Sequence, residues 1–368
     1  MEKIGNAPIV GETAREYLNE RRYEDYYEYK ERLLRWLHSL GKNPERTEGY
    51  ADSTVANVSY KIDRFHLWNW KETGTYGTKL TVDRADEFMM HLVVNEDYSN
   101  TYKNIVQKCF KRVFKYQNHV EGENVEWEPE HTFPQDLSAP RDFLTMEERQ
   151  KIRDAVLDYG TVPSYRSVTP EGRDRWKTYL AQRFEKPKEN VVPEDWEKAN
   201  SWKIPSITWV SLDTGLRPIE VERARVQWVD TQNNILRIPK DQSSKNEENW
   251  NVSITERTGN ALERWLKERD YYEEYSGSDA LWLTRHGNPY RSSSLRKVLH
   301  RICEIAEIPV ENRQMSWYTI RHSVGTYMTR EEDLAAAKAQ LRHKSPKTTM
   351  RYDQAPVEDR RDALNRMG

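Results

Sequence analysis

Hydrophobic positions recur at helical spacing through the first third of the chain, and four helices are predicted between about Thr13 and Val120 with no convincing strand among them. The first runs from about Thr13 to Leu40 and stops at Gly41. The second follows Asp52 and Ser53, either of which could cap it, and carries Val55, Val58, Ile62, Phe65 and Trp68 on one face before ending near Gly74. The third is roughly Val82 to Asn95 and the fourth Ser99 to His119. In the fourth, Tyr102, Ile105, Val106, Cys109, Phe110 and Val113 fall on one side at 100° per residue, and Lys108, Lys111, Arg112 and Lys115 on the other.

From Glu121 to Arg141 the pattern lapses into an acidic stretch broken by Pro129, Pro134 and Pro140, a domain linker. Helical spacing resumes at Asp142, with Thr145 and Glu148 placed as a capping box. Residues 161–203 are polar, dotted with Trp and interrupted by four prolines, and look like an insertion with some helix. A helix from about Pro205 to Thr214 and another after Arg217 come next. The runs ILRIP and WNVSI, joined by the polar stretch Lys240 to Asn249, predict a β-hairpin with a long tip. From about Thr258 onward the chain is predominantly helical. The expected fold is therefore mainly α with a small β component (α+β), in two domains: a helical one over 12–120 and a second over 142–368, with 353–368 as a tail.

Composition narrows the class. Thirteen Trp, 21 Tyr and 7 Phe provide bulky core volume, while charged residues at 32% make a heavily charged surface. No run approaches the roughly 20 apolar residues of a membrane helix, and MEKIGNAPIVGETARE lacks a leader's apolar segment, so a cytoplasmic, nucleoid-associated protein with no membrane partner is expected. The two cysteines, Cys109 and Cys303, lack the spacing of a zinc site or a disulfide framework and are expected to be buried and inert. Whole-chain charge, 58 basic against 60 acidic residues, gives −2 and no hint of a polyanionic partner. Local charge does: Lys103, Lys108, Lys111, Arg112 and Lys115 stand between Ser99 and Val120 with no acidic residue, which suits contact with phosphate as well as it suits a merely solvated face.

Three separated segments carry candidate chemistry: TGLRPIEVERA around Arg217, SWYTIRHSVGTYM around Arg321, and LRHKSPKTTMRYDQ with His343 and Tyr352. Taken in order they resemble the catalytic domain of the tyrosine recombinases, the phage integrase family. That family carries its first arginine in a T-G-x-R-x-x-E-like segment, its second in H-x-x-R-H, and an L-G-H segment nine residues before its tyrosine; here Glu220 lies three after Arg217, His322 follows Arg321, and 352 − 343 = 9. The resemblance covers about Phe143 to the end. It implies a DNA breaking-rejoining fold there and a four-helix core-binding (SAM-like) domain before it. The acid- and Trp-rich composition, with a Tyr where the family has a His, suggests an archaeal or archaeal-virus type.

The resemblance implies a site-specific integrase that cuts and rejoins double-stranded DNA through a covalent 3′-phosphotyrosyl link, with no cofactor. Tyr352 would be the nucleophile. Two fixed guanidiniums, Arg217 and Arg321, would stabilise the extra charge on the non-bridging oxygens, a task that lysine's point charge suits poorly. A free tyrosine hydroxyl is protonated at neutral pH, with a pKa of ~10, so His343 would assist it or bond the phosphate. A hairpin lysine would protonate the leaving 5′-oxygen: Lys245, seven residues before Val252, or Lys240, directly after the first strand. Tyr318 stands where the family usually has His, and either donates a hydrogen bond to phosphate or only packs. Arg342 replaces the usual Gly before His343 and is expected to add a cation close to the phosphate. Glu220 and His322 are assigned to support.

Exchange of four strands implies a clamp-like homotetramer on two DNA sites, with accessory DNA-bending proteins as possible further partners and the tail packing against a neighbour. Two other activities fit the same segments: type IB topoisomerase-like relaxation, and a catalytically idle DNA-binding regulator on the same scaffold.

Overall fold

The computed structural model describes residues 2–94, 98–134, 142–159, 162–243, 248–352, 361 and 364–367. The chain divides into two compact units, Met1–Ser138 and Ala139–Gly368.

The first unit opens with a two-stranded antiparallel ladder, β1 (Lys3–Ile4) and β2 (Ala7–Pro8), followed by α1 (Glu12–Tyr17), α2 (Glu20–Ser39), α3 (Asp52–Thr73), α4 (Val82–Val94) and α5 (Asn100–Val120). The single first helix expected from the pattern is therefore two. Leu18 leaves the helix in extended backbone, and Asn19 starts the next one by accepting the Arg22 amide on its side chain. Neither Asp52 nor Ser53 caps α3. Ala51 occupies that position, and the Asp52 carboxylate meets His38 instead. Gly74 closes α3 in the left-handed conformation, φ 67°, that glycine adopts without strain.

One buried ion pair organises this unit. Lys30 Nζ lies 2.7 Å from Asp63 Oδ1 and also donates to Ser59, and Asp63 further accepts from the Tyr26 hydroxyl and the Gly11 amide. With Ser59 donating to Pro8 O, the pair fastens the N-terminal ladder to α2 and α3. The expected linker also begins later than its composition suggests. Trp127 packs on Phe110 and Phe114 of α5, and Asn118 exchanges two hydrogen bonds with Val125, so the start of the acidic stretch belongs to the core of the first unit.

The second unit begins with α6 (Met146–Ala155), whose capping box pairs Thr145 with Glu148 in both directions. Next come α7 (Pro170–Arg183), α8 (Pro193–Lys198), α9 (Lys203–Thr214), α10 (Pro218–Arg223), the strands β3 (Val229–Asp230), β4 (Ile235–Ile238) and β5 (Trp250–Ser253), then α11 (Glu256–Arg269), α12 (Ser292–Ile305), α13 (Trp317–Glu331), α14 (Leu334–Leu341) and α15 (Pro346–Thr349). The hairpin β4–β5 is antiparallel with Leu236 opposite Val252. A third strand the pattern did not announce, β3, pairs with β4. It is two residues long, too short for alternation to register.

Residues 162–203 hold helices, as expected of this stretch, and pack into the core of the second unit. Trp176, Tyr179, Leu180, Val191 and Trp196 join the main hydrophobic core, and Tyr179 reaches the buried Glu268. Polar residues between the large aromatics mask how much area this stretch buries, because a few aromatic rings carry most of it.

Helix α9 runs through the middle of the unit and is buried on nearly every side. Two of its serine hydroxyls accept from indoles: Trp282 Nε1 donates to Ser206 Oγ and Trp317 Nε1 to Ser211 Oγ. Cys109 and Cys303 are both buried, and burial pushes each thiol up to about 11. Among the described residues no helix is long and apolar enough to cross a membrane, and no group of three His, Cys, Asp or Glu could hold a metal ion.

Candidate active site

The site grows from the end of α9. Gly215 terminates that helix at φ 59°, and Arg217 follows in extended backbone with Pro218 in the first turn of α10. Glu220 reaches back: its Oε2 accepts the Arg217 amide at 2.8 Å and its Oε1 the Arg217 Nη1 at 2.9 Å. The T-G-x-R-x-x-E spacing thus caps α10 and fixes its arginine with a single carboxylate.

Helix α13 supplies the next face. Residues 318, 321, 322 and 325 recur at three- and four-residue steps and so lie together on one side. Arg321 is buried, donating from Nη1 to Gly215 O and from Nη2 to Leu341 O, both at 2.5 Å. Burial first, then the charges of Arg342 and Arg217, lower its pKa to about 9, and it remains a cation at neutral pH. Arg149 steadies this helix from α6 by donating to Ser323 Oγ and Leu212 O.

Helix α14 ends at Arg342, a non-glycine residue at φ 57°, after which His343 and α15 lead to Tyr352. The Tyr352 ring is 7% exposed and lies between two histidines. It stacks parallel to His343 with centroids 5.9 Å apart, and its hydroxyl is 3.1 Å from His322 Nδ1. His343 Nδ1 meets Thr349 Oγ1 at 2.9 Å. Sequence reading assigned support to His322 and assistance to His343; in the structure it is His322 whose ring nitrogen meets the tyrosine hydroxyl.

Arg217, Arg321, His343 and Tyr352 therefore meet in one place, linked through Glu220, Gly215 and Leu341. Arg342 corrects an expectation. It does not add a cation at the open face, for its side chain is 1% exposed and bonds Glu220, Thr214 O and Gln340 O. Burial alone would raise the Glu220 carboxyl, but the guanidiniums of Arg342, Arg217 and Arg321 outweigh it and hold Glu220 at about 2. Tyr318 is 42% exposed, its ring 6.4 Å from that of His322, so it is not a core packing residue. Lys240 is exposed and its amide donates to Asn249 Oδ1, whereas Lys245 lies outside the described residues.

Gly325 escaped sequence reading because it carries no chemistry of its own. A methyl group there would sit 2.8 Å from two ring carbons of Tyr352 and 2.9 Å from Leu341 Cδ1, so the ring's position depends on a bare backbone. Gly325→Ala is expected to cost about 1–3 kcal/mol in stability, as overpacking does, and to slow the chemistry attempted by Tyr352 at least tenfold with little change in DNA affinity. Unaltered reaction rates in this variant would show that the ring has room to move.

The first unit carries a separate basic surface. Of the five expected residues on α5, Lys108 and Lys111 are exposed and Arg112 is half-buried over the Tyr50 ring. Lys103 is buried against Phe133, and Lys115 Nζ donates to Gly41 O and Lys42 O, so these two do not belong to an open cationic face. Two residues that were missed stand on α3: Lys61 over Tyr102 at 4.0 Å and Arg64 over Tyr98 at 4.4 Å, beside exposed Tyr60. Asp63 between them disguised the charge. It turns inward to Lys30, leaving the outer face of α3 positive.

Two arginines, two histidines and a tyrosine thus come together within the second unit. Residues 191–358 match the phage integrase family. The XerH site-specific recombinase bound to palindromic difH substrate, in a post-cleavage complex, is similar with a TM-score of 0.58 and 15% identity, over 94% of this chain and 88% of that one. The Tn1549 transposon integrase in complex with transposon right end DNA is similar with a TM-score of 0.53 and 13% identity, over 90% of this chain and 99% of that one. No curated protein sequence matches the chain. The stretch 191–358, which holds Arg217, Arg321, His343 and Tyr352, is a phage integrase domain, the tyrosine recombinase type.

Proposed function

We propose that Tyr352 attacks a scissile phosphate in duplex DNA, forming a 3′-phosphotyrosyl link and releasing a 5′-hydroxyl that a second DNA end later replaces. The observation that carries this is the Tyr352 hydroxyl at 3.1 Å from His322 Nδ1, on the same helix face as Arg321. The imidazole accepts or orients the hydroxyl proton as oxygen attacks phosphorus. Arg321 and Arg217 hold the non-bridging oxygens. Arg321 uses two of its five N–H donors on carbonyls and keeps three for phosphate. The bond from phosphorus to the 5′-oxygen breaks as the tyrosyl bond forms, so the phosphodiester energy is retained and no cofactor is consumed. Tyr318 donates to a phosphate oxygen from its exposed position. The test is a suicide duplex whose cleaved end diffuses away, on which wild-type protein accumulates a covalent adduct.

The departing 5′-oxygen needs a proton, and Lys245 or Lys240 of the hairpin tip gives it. A duplex with sulfur in place of the bridging 5′-oxygen separates them, because a thiolate leaves without protonation. Whichever Lys→Ala variant is slow on the oxygen substrate, by 100-fold or more, and near wild type on the sulfur substrate identifies the acid. If neither variant shows that pattern, the acid is not in the hairpin.

The first unit grips DNA phosphates with Lys108, Lys111, Arg112, Lys61 and Arg64, and the aromatic rings under the α3 cations hold those side chains extended. Four copies assemble on two sites. A groove of about 690 Å³ lined by Val324, Tyr327, Met328 and Ala336 suits the apolar Val357, Leu364 and Met367 of a neighbour's tail.

A further inference from the structure

We propose that Arg342 is a positioning residue for strand cleavage, which lets Glu220 hold Arg217 without cancelling the positive charge that faces the phosphate. The inference rests on the recombinase reading above and concerns a residue that touches neither DNA nor Tyr352.

The geometry is unusual for a surface-type residue. Arg342 takes a left-handed backbone, φ 57°, where glycine would be unstrained, and then buries its guanidinium completely. Nη2 meets Glu220 Oε2 at 2.8 Å and Gly215 O at 3.3 Å, while Nη1 donates to Thr214 O and Gln340 O. Both of the acceptors on Nη2 also serve the candidate catalytic arginines. Glu220 is the carboxylate that fixes Arg217, and Gly215 O is the carbonyl that fixes Arg321. Arg342 immediately precedes His343, so the same side chain ties the segment leading to His343 and Tyr352 onto the Arg217 loop.

Charge gives the reason such a residue helps. Glu220 orients Arg217, but a lone carboxylate beside two guanidiniums would leave one net positive charge. With Arg342 there are three guanidiniums around one carboxylate, and two net charges remain. In a buried site these charges are weakly screened, so the difference reaches the transition state. Glycine at 342 would relieve the backbone strain yet leave Glu220 to neutralise Arg217, an uncompensated rearrangement of a buried pair.

The experiment uses the full chain on the suicide duplex, with the cleavage rate at saturating protein and DNA affinity measured separately. Arg342→Gly is expected to cleave 10- to 100-fold more slowly with affinity within threefold of wild type. Arg342→Lys, which keeps the charge, is expected to recover at least half of the lost rate on a logarithmic scale. The double variant Arg342→Gly with Glu220→Gln is expected to cleave faster than Arg342→Gly, since removing the stranded carboxylate frees Arg217; a purely structural role predicts that the double is worse. A wild-type rate in Arg342→Gly, or a double variant no faster than Arg342→Gly, overturns the proposal. If Arg342→Gly does not fold, the Lys variant decides: a rate no better than one-hundredth of wild type with folding intact overturns it. Absence of an adduct with wild-type protein overturns the recombinase reading and this proposal with it, whereas a wild-type adduct with an indifferent Arg342 overturns this proposal alone.

Discussion

Tyr352→Phe is expected to leave DNA binding intact and to abolish the covalent protein–DNA adduct, a loss of more than 10⁴-fold. The substitution removes one oxygen. In the structure that oxygen touches the Nδ1 of His322, and the ring stays buried between His322 and His343. The stability cost is that of one net hydrogen bond, about 1 kcal/mol, so the variant folds and its defect is chemical. Denaturing electrophoresis of protein mixed with labelled suicide duplex reads the result. An adduct that persists at even a few per cent of wild type would place the nucleophile elsewhere. Loss of binding together with the adduct would mean that Tyr352 holds the fold. The same assay separates the alternatives drawn from sequence. A topoisomerase-like enzyme gives the adduct but never joins two defined sites, and an idle regulator gives no adduct with the wild-type chain.

Arg321→Lys is the second large effect, expected to slow cleavage by about 10²- to 10³-fold, the range seen when a preorganised donor to developing charge is removed. Charge is conserved in this change, so geometry carries the loss. The guanidinium reaches Gly215 O and Leu341 O simultaneously at 2.5 Å, bridging the end of α9 and the end of α14, and still has N–H groups for phosphate. An ammonium has three donors on one atom and cannot span both carbonyls while presenting a fork to phosphate. Gly215 O keeps Arg342 Nη2 as a donor, so the carbonyl at risk is Leu341 O, which, if left without a donor, adds a cost of about 1–3 kcal/mol. Two measurements distinguish the parts of the effect: thermal stability reports the loss at Leu341 O, and the rate at saturating DNA reports the lost fork. A variant that is less stable but cleaves at the wild-type rate would show that Arg321 is structural.

How much of this was legible beforehand depended on the range over which each feature is encoded. Helices α3, α4 and α5 could be read because their apolar residues recur locally, and the Thr145–Glu148 cap because both partners lie within four residues. The break at Leu18–Asn19 was invisible, since the surrounding residues favour helix on both sides. That the Trp-bearing stretch 162–203 packs into the core could not be read, because local polarity says nothing about which aromatics a distant core will absorb. On the cationic faces, the sequence shows charge without direction. Lys103 and Lys115 turn into the first unit, Asp63 is neutralised by Lys30 from another helix, and Lys61 and Arg64 emerge as the open charges.

By itself, the sequence determined which side-chain chemistries this protein has and in what order: two arginines, a histidine and a tyrosine at fixed spacings, and a mostly helical chain with one hairpin. Order and spacing are properties of the chain, so no fold is needed to see them. Only the tertiary structure decided that His322 meets the Tyr352 hydroxyl while His343 stacks on its ring, that Gly325 makes room for that ring, and that Arg342 turns inward to Glu220. Those outcomes depend on directions and distances between elements α9, α10, α13 and α14. Such directions are set by burial and close packing across more than a hundred residues of intervening chain, from Gly215 to Arg342.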